Sequence, residues 1–140
     1  MPLSASAHFV YGVDPDARLA VIQMAGTLTG ADMQHIVETV HADPAWRDGF
    51  DAIWDCRAVQ AHDVLPHEVG PLLDELVGGE TGRDVLLEGP GLTADLFAQL
   101  LALRIRRRGG SAEVVSSMPD ALGALGRDAL PPALAEHIAA

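Results

Sequence analysis

The chain contains no lysine, a single cysteine, few aromatic residues and no long hydrophobic run. Without lysine, a Schiff-base or lysine-nucleophile enzyme is excluded. The lone cysteine, Cys56, cannot form an intrachain disulfide and gives no sign of an oxidising compartment. No apolar run approaches the roughly 20 residues that cross a bilayer, and the N-terminus lacks the basic and apolar regions of a signal peptide. We therefore expect a cytoplasmic protein without a transmembrane segment.

The charge is strongly one-sided. The net charge is −11, and all nine basic residues are arginine. Such an acidic surface repels phosphate backbones and anionic lipids, which argues against nucleic-acid or membrane-surface partners. The 140 residues, 49% of them hydrophobic, suffice for one well-packed core. We expect a single domain over residues 1–140, with its core at 8–126.

Apolar periodicity predicts five strands, at residues 8–13, 19–24, 50–57, 83–88 and 112–115. The first two are separated by an Asp-Pro-Asp turn signal and predict an antiparallel hairpin. The third strand, through Trp54, is apolar until Asp55 and Arg57, where we expect it to end. Residues 58–63 then read as a loop that carries His62.

Helical spacing predicts helices between these strands. Thr29 and Asp32 resemble a capping box for a first helix, whose apolar face is Met33, Ile36, Val37 and Val40. A second helix is predicted over residues 66–77. A third, capped by Thr93, has the predicted buried stripe Leu96, Phe97, Leu100, Leu101 and Ile105. A short helix follows Met118, and a C-terminal helix is predicted over residues 131–139.

The predicted order is β-β-α-β-α-β-α-β-α. Strands joined through helices cross over and run parallel. The fold class is therefore α/β, with a mixed, mostly parallel sheet of about five strands and four to five helices. The strand through Trp54 is expected at its centre.

This order, with its motifs, resembles the STAS domain superfamily and, within it, the SpoIIAA-like group of bacterial STAS-like proteins. The resemblance spans roughly residues 9–126. It is carried by the hairpin, by the Gly-Thr-Leu-Thr segment at residues 26–29, by Trp46, by the Asp-Cys-Arg segment at residues 55–57 and by a tail that contains MPDALGAL. It implies a STAS-like fold and a regulatory or binding role.

The chain departs from the family at its phosphorylation site. STAS domains that antagonise anti-sigma factors carry a phosphorylatable serine directly after an aspartate at the end of the central strand. Here Cys56 follows Asp55, and residues 41–80 contain no serine or threonine. A serine-phosphorylation switch at this position is therefore excluded.

The candidate site lies where the strands end. Ligands of open parallel sheets collect at the carboxyl ends of the strands. We predict a ligand- or partner-binding site there, formed by Thr27, Asp55, Arg57, Gly89 and Ser116. In one hypothesis Arg57 holds an anion and Asp55 orients it. In the other, the two form a purely structural ion pair.

Other groups of reactive or metal-binding residue types give weaker support for a function. Cys56, His62 and Asp55 would suit a small hydrolase or transferase, but no cysteine-enzyme signature surrounds them. His62, Asp63, His67 and Glu68 have no standard metal-ligand spacing, and the Gly-Pro-Gly segment at residues 89–91 lacks the ending of a phosphate loop. We expect no metal and no cofactor. The arginines Arg104, Arg106, Arg107 and Arg108 complement the dipole of the third helix or bind an acidic partner.

The sequence thus predicts a non-enzymatic binding module. Its partner is a protein or a small anionic or lipid-like ligand. The alternatives are the cysteine enzyme and a lipid carrier, the latter because some STAS-like sheets resemble lipid-transfer folds. A homodimer through the first strand and the C-terminal helix is a further expectation.

Overall fold

The computed structural model describes residue 3 and residues 5–63, 82–107 and 109–136. The elements in these ranges are β1 (Ala7–Asp14), β2 (Leu19–Leu28), α1 (Gly30–Ala42), β3 (Asp51–His62), β4 (Arg83–Leu87), α2 (Leu92–Arg107), β5 (Ser111–Val115), α3 (Met118–Ala124) and α4 (Pro132–Ala135). The helix predicted over residues 66–77 lies outside the described residues, as do His67, Glu68, Arg108 and Ile138.

The five strands form one sheet in the order β1-β2-β3-β4-β5. β1 and β2 are antiparallel, and the other three neighbouring pairs are parallel. The predicted hairpin and the mixed, mostly parallel α/β sheet are confirmed. The strand through Trp54 lies at the centre with a parallel neighbour on each side, so it is buried on both faces.

β2 and β3 are longer than predicted. β2 continues to Leu28 and β3 to His62, so the predicted end of the second strand at residue 24 and the loop predicted at residues 58–63 are wrong. The cause is mutual: each strand gives the other a main-chain partner as far as Leu28 opposite His62. Gly26 has φ +84°, and a Cβ there would collide with the Ser6 carbonyl, so glycine lets the chain bend without ending the strand.

The helices α1 and α2 cover one face of the sheet, here called the first face. Ile22 of β2, Trp54 of β3 and Phe97 of α2 belong to its core. The capping box of α1 is confirmed: the Thr29 side chain accepts from the Asp32 amide, and Asp32 accepts from the Thr29 amide. Within the described ranges, no helix has the length and apolarity needed to cross a membrane.

The helix α2 differs from its prediction in two details. It begins at Leu92, so Thr93 lies inside its first turn and does not cap it. Leu96 is 54% exposed, although the periodicity placed it in the buried stripe. The stripe turned toward the sheet is instead carried by Phe97, Leu101 and Ile105, with alanines that bring the helix close to the strands.

The opposite face, here called the second face, is covered by α3 and α4. Met118 and Leu122 of α3 and Leu134 of α4 pack there against the first halves of the strands, at Val21 and Ile53 among others. The two helices have only seven and four residues. Their shortness explains why their apolar core reaches only the part of the second face nearest the strand starts.

Asp84, near the start of β4, has a half-buried carboxyl group. Asp84 Oδ1 accepts a hydrogen bond from Trp54 Nε1 at 3.0 Å. Burial raises the pKa of Asp84 to about 6; the Trp54 hydrogen bond opposes this shift, and the nearby charge of Asp51 adds to it. Asp51 in turn forms an ion pair with Arg127, whose Nη2 lies 3.1 Å from its Oδ2.

We predict that Asp84→Asn stabilises the fold at neutral pH. The folded pKa of Asp84 lies above its unfolded value of about 3.9, so wild type loses stability as the pH rises through about 6. Asparagine keeps the acceptor for Trp54 without the charge. In urea unfolding, the stability gained over wild type should grow by roughly 2 to 3 kcal/mol between pH 4 and pH 7.5. An equal difference at both pH values would contradict this, and the exposed Asp48→Asn is the control.

Candidate functional site

The polar site starts where the apolar cover of the second face ends. Side chains that share a face of a strand are two residues apart. On β2, Val21 is followed on this face by Gln23; on β3, Ile53 is followed by Asp55. Gln23 and Asp55 are direct register partners. Both strands therefore change from apolar to polar at the same level of the sheet.

Asp55 and Arg57 form a two-pronged ion pair. Arg57 Nε lies 2.9 Å from Asp55 Oδ1, and Arg57 Nη2 lies 2.7 Å from Oδ2. The Arg57 amide also donates to Oδ1 at 3.1 Å, and Gln23 Nε2 donates to Oδ2 at 3.1 Å. The register of β2 and β3 shifts between Gln23 and Ala25. A bulge of this kind re-aims side chains, and here it brings Arg57 back over Asp55.

The electrostatics follow from burial and these four donors. Asp55 is only 4% exposed, and burial alone would raise the pKa of its carboxyl. The hydrogen bonds from Arg57 and Gln23 outweigh burial, so the pKa of Asp55 is lowered. The same hydrogen bond raises the pKa of Arg57, against its partial burial. Both groups are therefore charged, and together they are neutral.

A hollow of about 480 Å³ lies beside this pair. Its lining includes His8 and Val10 of β1, Gln23 and Ala25 of β2, and Asp55, Arg57 and Ala58 of β3. Ala25 is the register partner of both His8 and Ala58. The two small alanine side chains thus form the floor, and His8 and Arg57 form the walls. Its volume lies within the usual range of about 300–1,000 Å³ for small-molecule pockets.

The hollow offers donors more than acceptors. Asp55 already accepts four hydrogen bonds, which fills the usual capacity of a carboxylate. Arg57 uses Nε and Nη2 on Asp55, and in the described part of the chain its Nη1 group has no hydrogen-bond partner. The Arg57 side chain is 30% exposed. A ligand here would meet the open edge of a guanidinium above an apolar floor.

The predicted site residues separate into three groups. Asp55 and Arg57 line the hollow. Gly89 is outside the described lining and lies against the Arg57 main chain, where a Cβ would be 2.8 Å from the carbonyl oxygen. Thr27 and Ser116 are not in the described lining. The Thr27 amide binds the Ser6 carbonyl, and Ser116 Oγ donates to Glu88 at 3.2 Å.

The hollow does not coincide with the place where the site was predicted. It was predicted in the crevice beyond the strand ends, but β3 continues past Arg57 to His62. Asp55 is nevertheless the register partner of Leu87, the last residue of β4. The hollow is therefore on a sheet face, level with the carboxyl end of β4.

Sequence reasoning missed His8, Val10 and Gln23. One signal was present, because Gln23 is the single polar residue in the six-residue apolar run at residues 19–24. A lone polar side chain on a buried strand needs a partner, and here that partner is Asp55. His8 and Val10 gave no comparable signal, since only the hairpin register brings them to the hollow.

The proposed cysteine, histidine and aspartate do not converge. Cys56 packs in the core of the first face, whereas Asp55 points to the second. Burial, with a smaller contribution from the charge of Asp55, raises the pKa of the Cys56 thiol, which disfavours the nucleophilic thiolate. His62 lies six residues farther along β3, about 20 Å away at 3.3 Å per residue, with its ring against Phe97.

No group of three or more histidine, cysteine or acidic side chains suited to a metal ion occurs in the part of the chain described here. His67 and Glu68, which completed the metal hypothesis, lie outside that part.

At the ends of β4 and β5, hydrogen bonding with the Asp95 carboxyl raises the pKa of the exposed Glu88.

Comparison with known proteins identifies the fold. Neither a protein-family model nor a curated protein matches the chain. Among solved structures, it is similar to an uncharacterised protein of the DUF3478 family with a SpoIIAA-like fold from Shewanella loihica PV-4, at 16% identity and a TM-score of 0.59, over 87% of this chain and 97% of that one. The unphosphorylated anti-sigma factor antagonist SpoIIAA matches at 17% identity and a TM-score of 0.49, over 85% and 98%. The chain has a STAS-like, SpoIIAA-like fold, which confirms the resemblance in its sequence.

We predict that Arg57→Ala destabilises the protein, because it leaves the Asp55 charge buried without its cation. Breaking a buried ion pair costs about 3 to 5 kcal/mol, and the partial exposure of Arg57 favours the low end, about 3 kcal/mol. The double variant Asp55→Asn/Arg57→Ala should recover part of that loss, since the neutral amide no longer needs a cation. Chemical unfolding of wild type, both single variants and the double variant measures the coupling. Equal losses in Arg57→Ala and the double variant would contradict it.

We also predict that Cys56 is unreactive in the folded protein. A buried, protonated thiol reacts slowly with a thiol reagent such as DTNB. Because Cys56 is the sole cysteine, absorbance reports it directly. Less than one tenth should react in native buffer during the time that suffices for complete reaction in guanidinium. Rapid native labelling would restore the cysteine-enzyme hypothesis.

Proposed function

We propose that this protein is a non-enzymatic binding module whose recognition site is the hollow beside Arg57. The observation that carries the proposal is the open guanidinium edge next to the alanine floor at Ala25 and Ala58. Val10, 50% exposed, extends the apolar surface at the rim. An apolar floor and one convergent polar group are the usual composition of a ligand site.

The chemistry of the lining selects the ligand. Asp55 is saturated by its four donors, so Arg57 supplies the interaction and the ligand must accept hydrogen bonds. The matching group is a carboxylate, which meets guanidinium nitrogens in good geometry. The alanine floor and Val10 fit an apolar body. The proposed ligand is therefore a small organic acid with an aliphatic or aromatic body.

Charge argues against a polyanionic ligand. Asp55 already neutralises Arg57, and the chain carries a net charge of −11. A nucleotide or a phosphoinositide brings two or more negative charges, which the acidic surface around the hollow would repel. A monocarboxylate brings one. The same head group occurs on a free organic acid and on a protein partner, as a C-terminus or an acidic side chain, and the small acid is the form that the size of the hollow favours.

The test compares a filled hollow with an unfilled one. Ala58→Trp places a large ring on the floor, and Ala61→Trp places the same ring at an exposed position of β3 outside the hollow. We expect wild type and Ala61→Trp to bind octanoate, with amide NMR shifts centred on Gln23 and Ala25, and Ala58→Trp to lose at least about 90% of the affinity. Lengthening the chain from hexanoate to octanoate should tighten binding by roughly fourfold per methylene, the equivalent of about 0.8 kcal/mol.

Two head-group controls identify the anion. Octanol has the body without the charge, and octyl phosphate has a larger charge; both should bind more weakly than octanoate. If octanoate leaves the NMR spectrum unchanged, or if Ala58→Trp and Ala61→Trp bind it equally, the small-acid proposal is wrong. If only peptides with a free C-terminus shift Gln23 and Ala25, the hollow binds a protein partner instead.

A further inference from the structure

The outer face of α2 carries three leucines in contact with solvent. Leu92, Leu96 and Leu103 are 73%, 54% and 44% exposed. Of the four large hydrophobic residues exposed in the described part of the chain, these three share one helix. At 100° per residue, they fall within about 40° of one another, and they form a strip about 16 Å long. We call this strip the leucine ridge.

The ridge lies opposite the side of α2 that packs on the sheet. The buried residues Phe97, Leu101 and Ile105 lie on average about 160° from it around the helix axis. On an ordinary surface helix this outermost line is polar. Here only Gln99 interrupts the leucines. Exposed leucines grouped on one line mark an interaction surface more often than scattered ones do.

The charges beside the ridge are opposite at its two ends. Asp95 lies in the first turn of α2, and Arg104, Arg106 and Arg107 lie in the last. Asp95 and Arg106 are on the same flank, about 60° to 80° from the ridge. Arg106 Nε donates to the Ala112 carbonyl at 2.9 Å, and its two Nη groups have no hydrogen-bond partner among the described residues. They remain available to a carboxylate outside the chain.

We propose that the leucine ridge binds the same ridge of a second copy, with the two α2 helices antiparallel about a two-fold axis. The axis passes between Gln99 and Leu100, halfway from Leu96 to Leu103. Leu96 of each copy then packs on Leu103 of the other. In this arrangement the axial positions of Asp95 and of Arg106 in the second copy differ by only about 3 Å. The acidic end of one ridge thus meets the basic end of the other, twice.

This self-complementarity is the reason to prefer a second copy over an unrelated partner. A two-fold interface uses one surface twice, so the surface must match its own rotated image. The ridge does so in both its leucines and its charges. An anionic lipid surface would repel this strongly acidic chain. A purely acidic partner helix would place a like charge opposite Asp95.

Part of the surface expected for a dimer from the sequence is used within the chain. Leu134 of α4 is 2% exposed and packs against β1, where a Cβ on Gly12 would lie 2.7 Å from its Cδ2. Val10 is the exposed apolar residue that remains on β1. The leucine ridge lies on the first face and the hollow on the second. The proposed dimer therefore leaves both hollows open, and it does not depend on the proposed function.

The test is sedimentation equilibrium on the full chain. One helix per subunit gives a small interface, and small interfaces often have dissociation constants in the micromolar range or weaker. The protein concentration should therefore run from about 10 μM to about 1 mM. We expect wild type to form dimers in this range. Leu96→Glu should weaken association at least tenfold, because each dimer would bury two unpaired carboxylates. Leu96 is half exposed, so the variant should retain the wild-type circular dichroism spectrum; Leu103→Glu is the second variant.

Val10→Glu is the matched control. It places the same charge at a residue of similar exposure on β1, and the dimer should persist. Charge reversal tests the register: Asp95→Arg and Arg106→Asp should each weaken the dimer, and the double variant should restore it. A monomer throughout the range, or a dimer that Val10→Glu abolishes and Leu96→Glu does not, would overturn the proposal. A double variant no tighter than either single variant would overturn the antiparallel register.

Discussion

The structure depends on a carboxylate held in the middle of its sheet. Asp55 lies on the central strand and is 4% exposed, where an ionised group is costly unless its oxygens are fully hydrogen bonded. Arg57 and Gln23 supply the four donors. To do so, β2 must lie next to β3 in one register, and β3 must bulge at Arg57. The buried charge of Asp55 thereby favours one register of the two strands and fixes the position of the partly exposed guanidinium.

The same constraint explains the shape of the hollow. The short helices α3 and α4 contribute apolar side chains to the second face as far as Val21 and Ile53. Beyond that level the sheet presents a satisfied ion pair and two alanines. A satisfied pair needs no further contact for stability, so the hollow can remain open. The structural-pair and anion-binding hypotheses for Arg57 are therefore compatible: two of its nitrogens hold Asp55, and its side chain also lines the hollow.

Several features follow from local pattern. The α/β class, the hairpin, the capping box of α1 and the central place of the strand through Trp54 depend on period, turn residues and crossover rules, which act over short stretches of chain. Asp55 and Arg57 were predicted on one face because they are two residues apart on one strand, and both line the hollow. The predicted ends of β2 and β3 were wrong, because the length of a strand depends on the main-chain hydrogen-bond partners that its neighbour provides. Helical periodicity placed Leu96 in the core, although α2 turns this residue toward solvent.

The sequence by itself determined the order of strands and helices and the placement of Asp55 and Arg57 on one side of the central strand, since hydrophobicity and alternation are properties of the chain. Only the tertiary structure decided that Gln23 binds Asp55, that His8 and Val10 border the same hollow, and that three leucines of α2 point to solvent. The reason is physical. Each of these facts is a relation between segments that are far apart in sequence. Strand register, bulges and helix rotation are set by how these segments pack against one another.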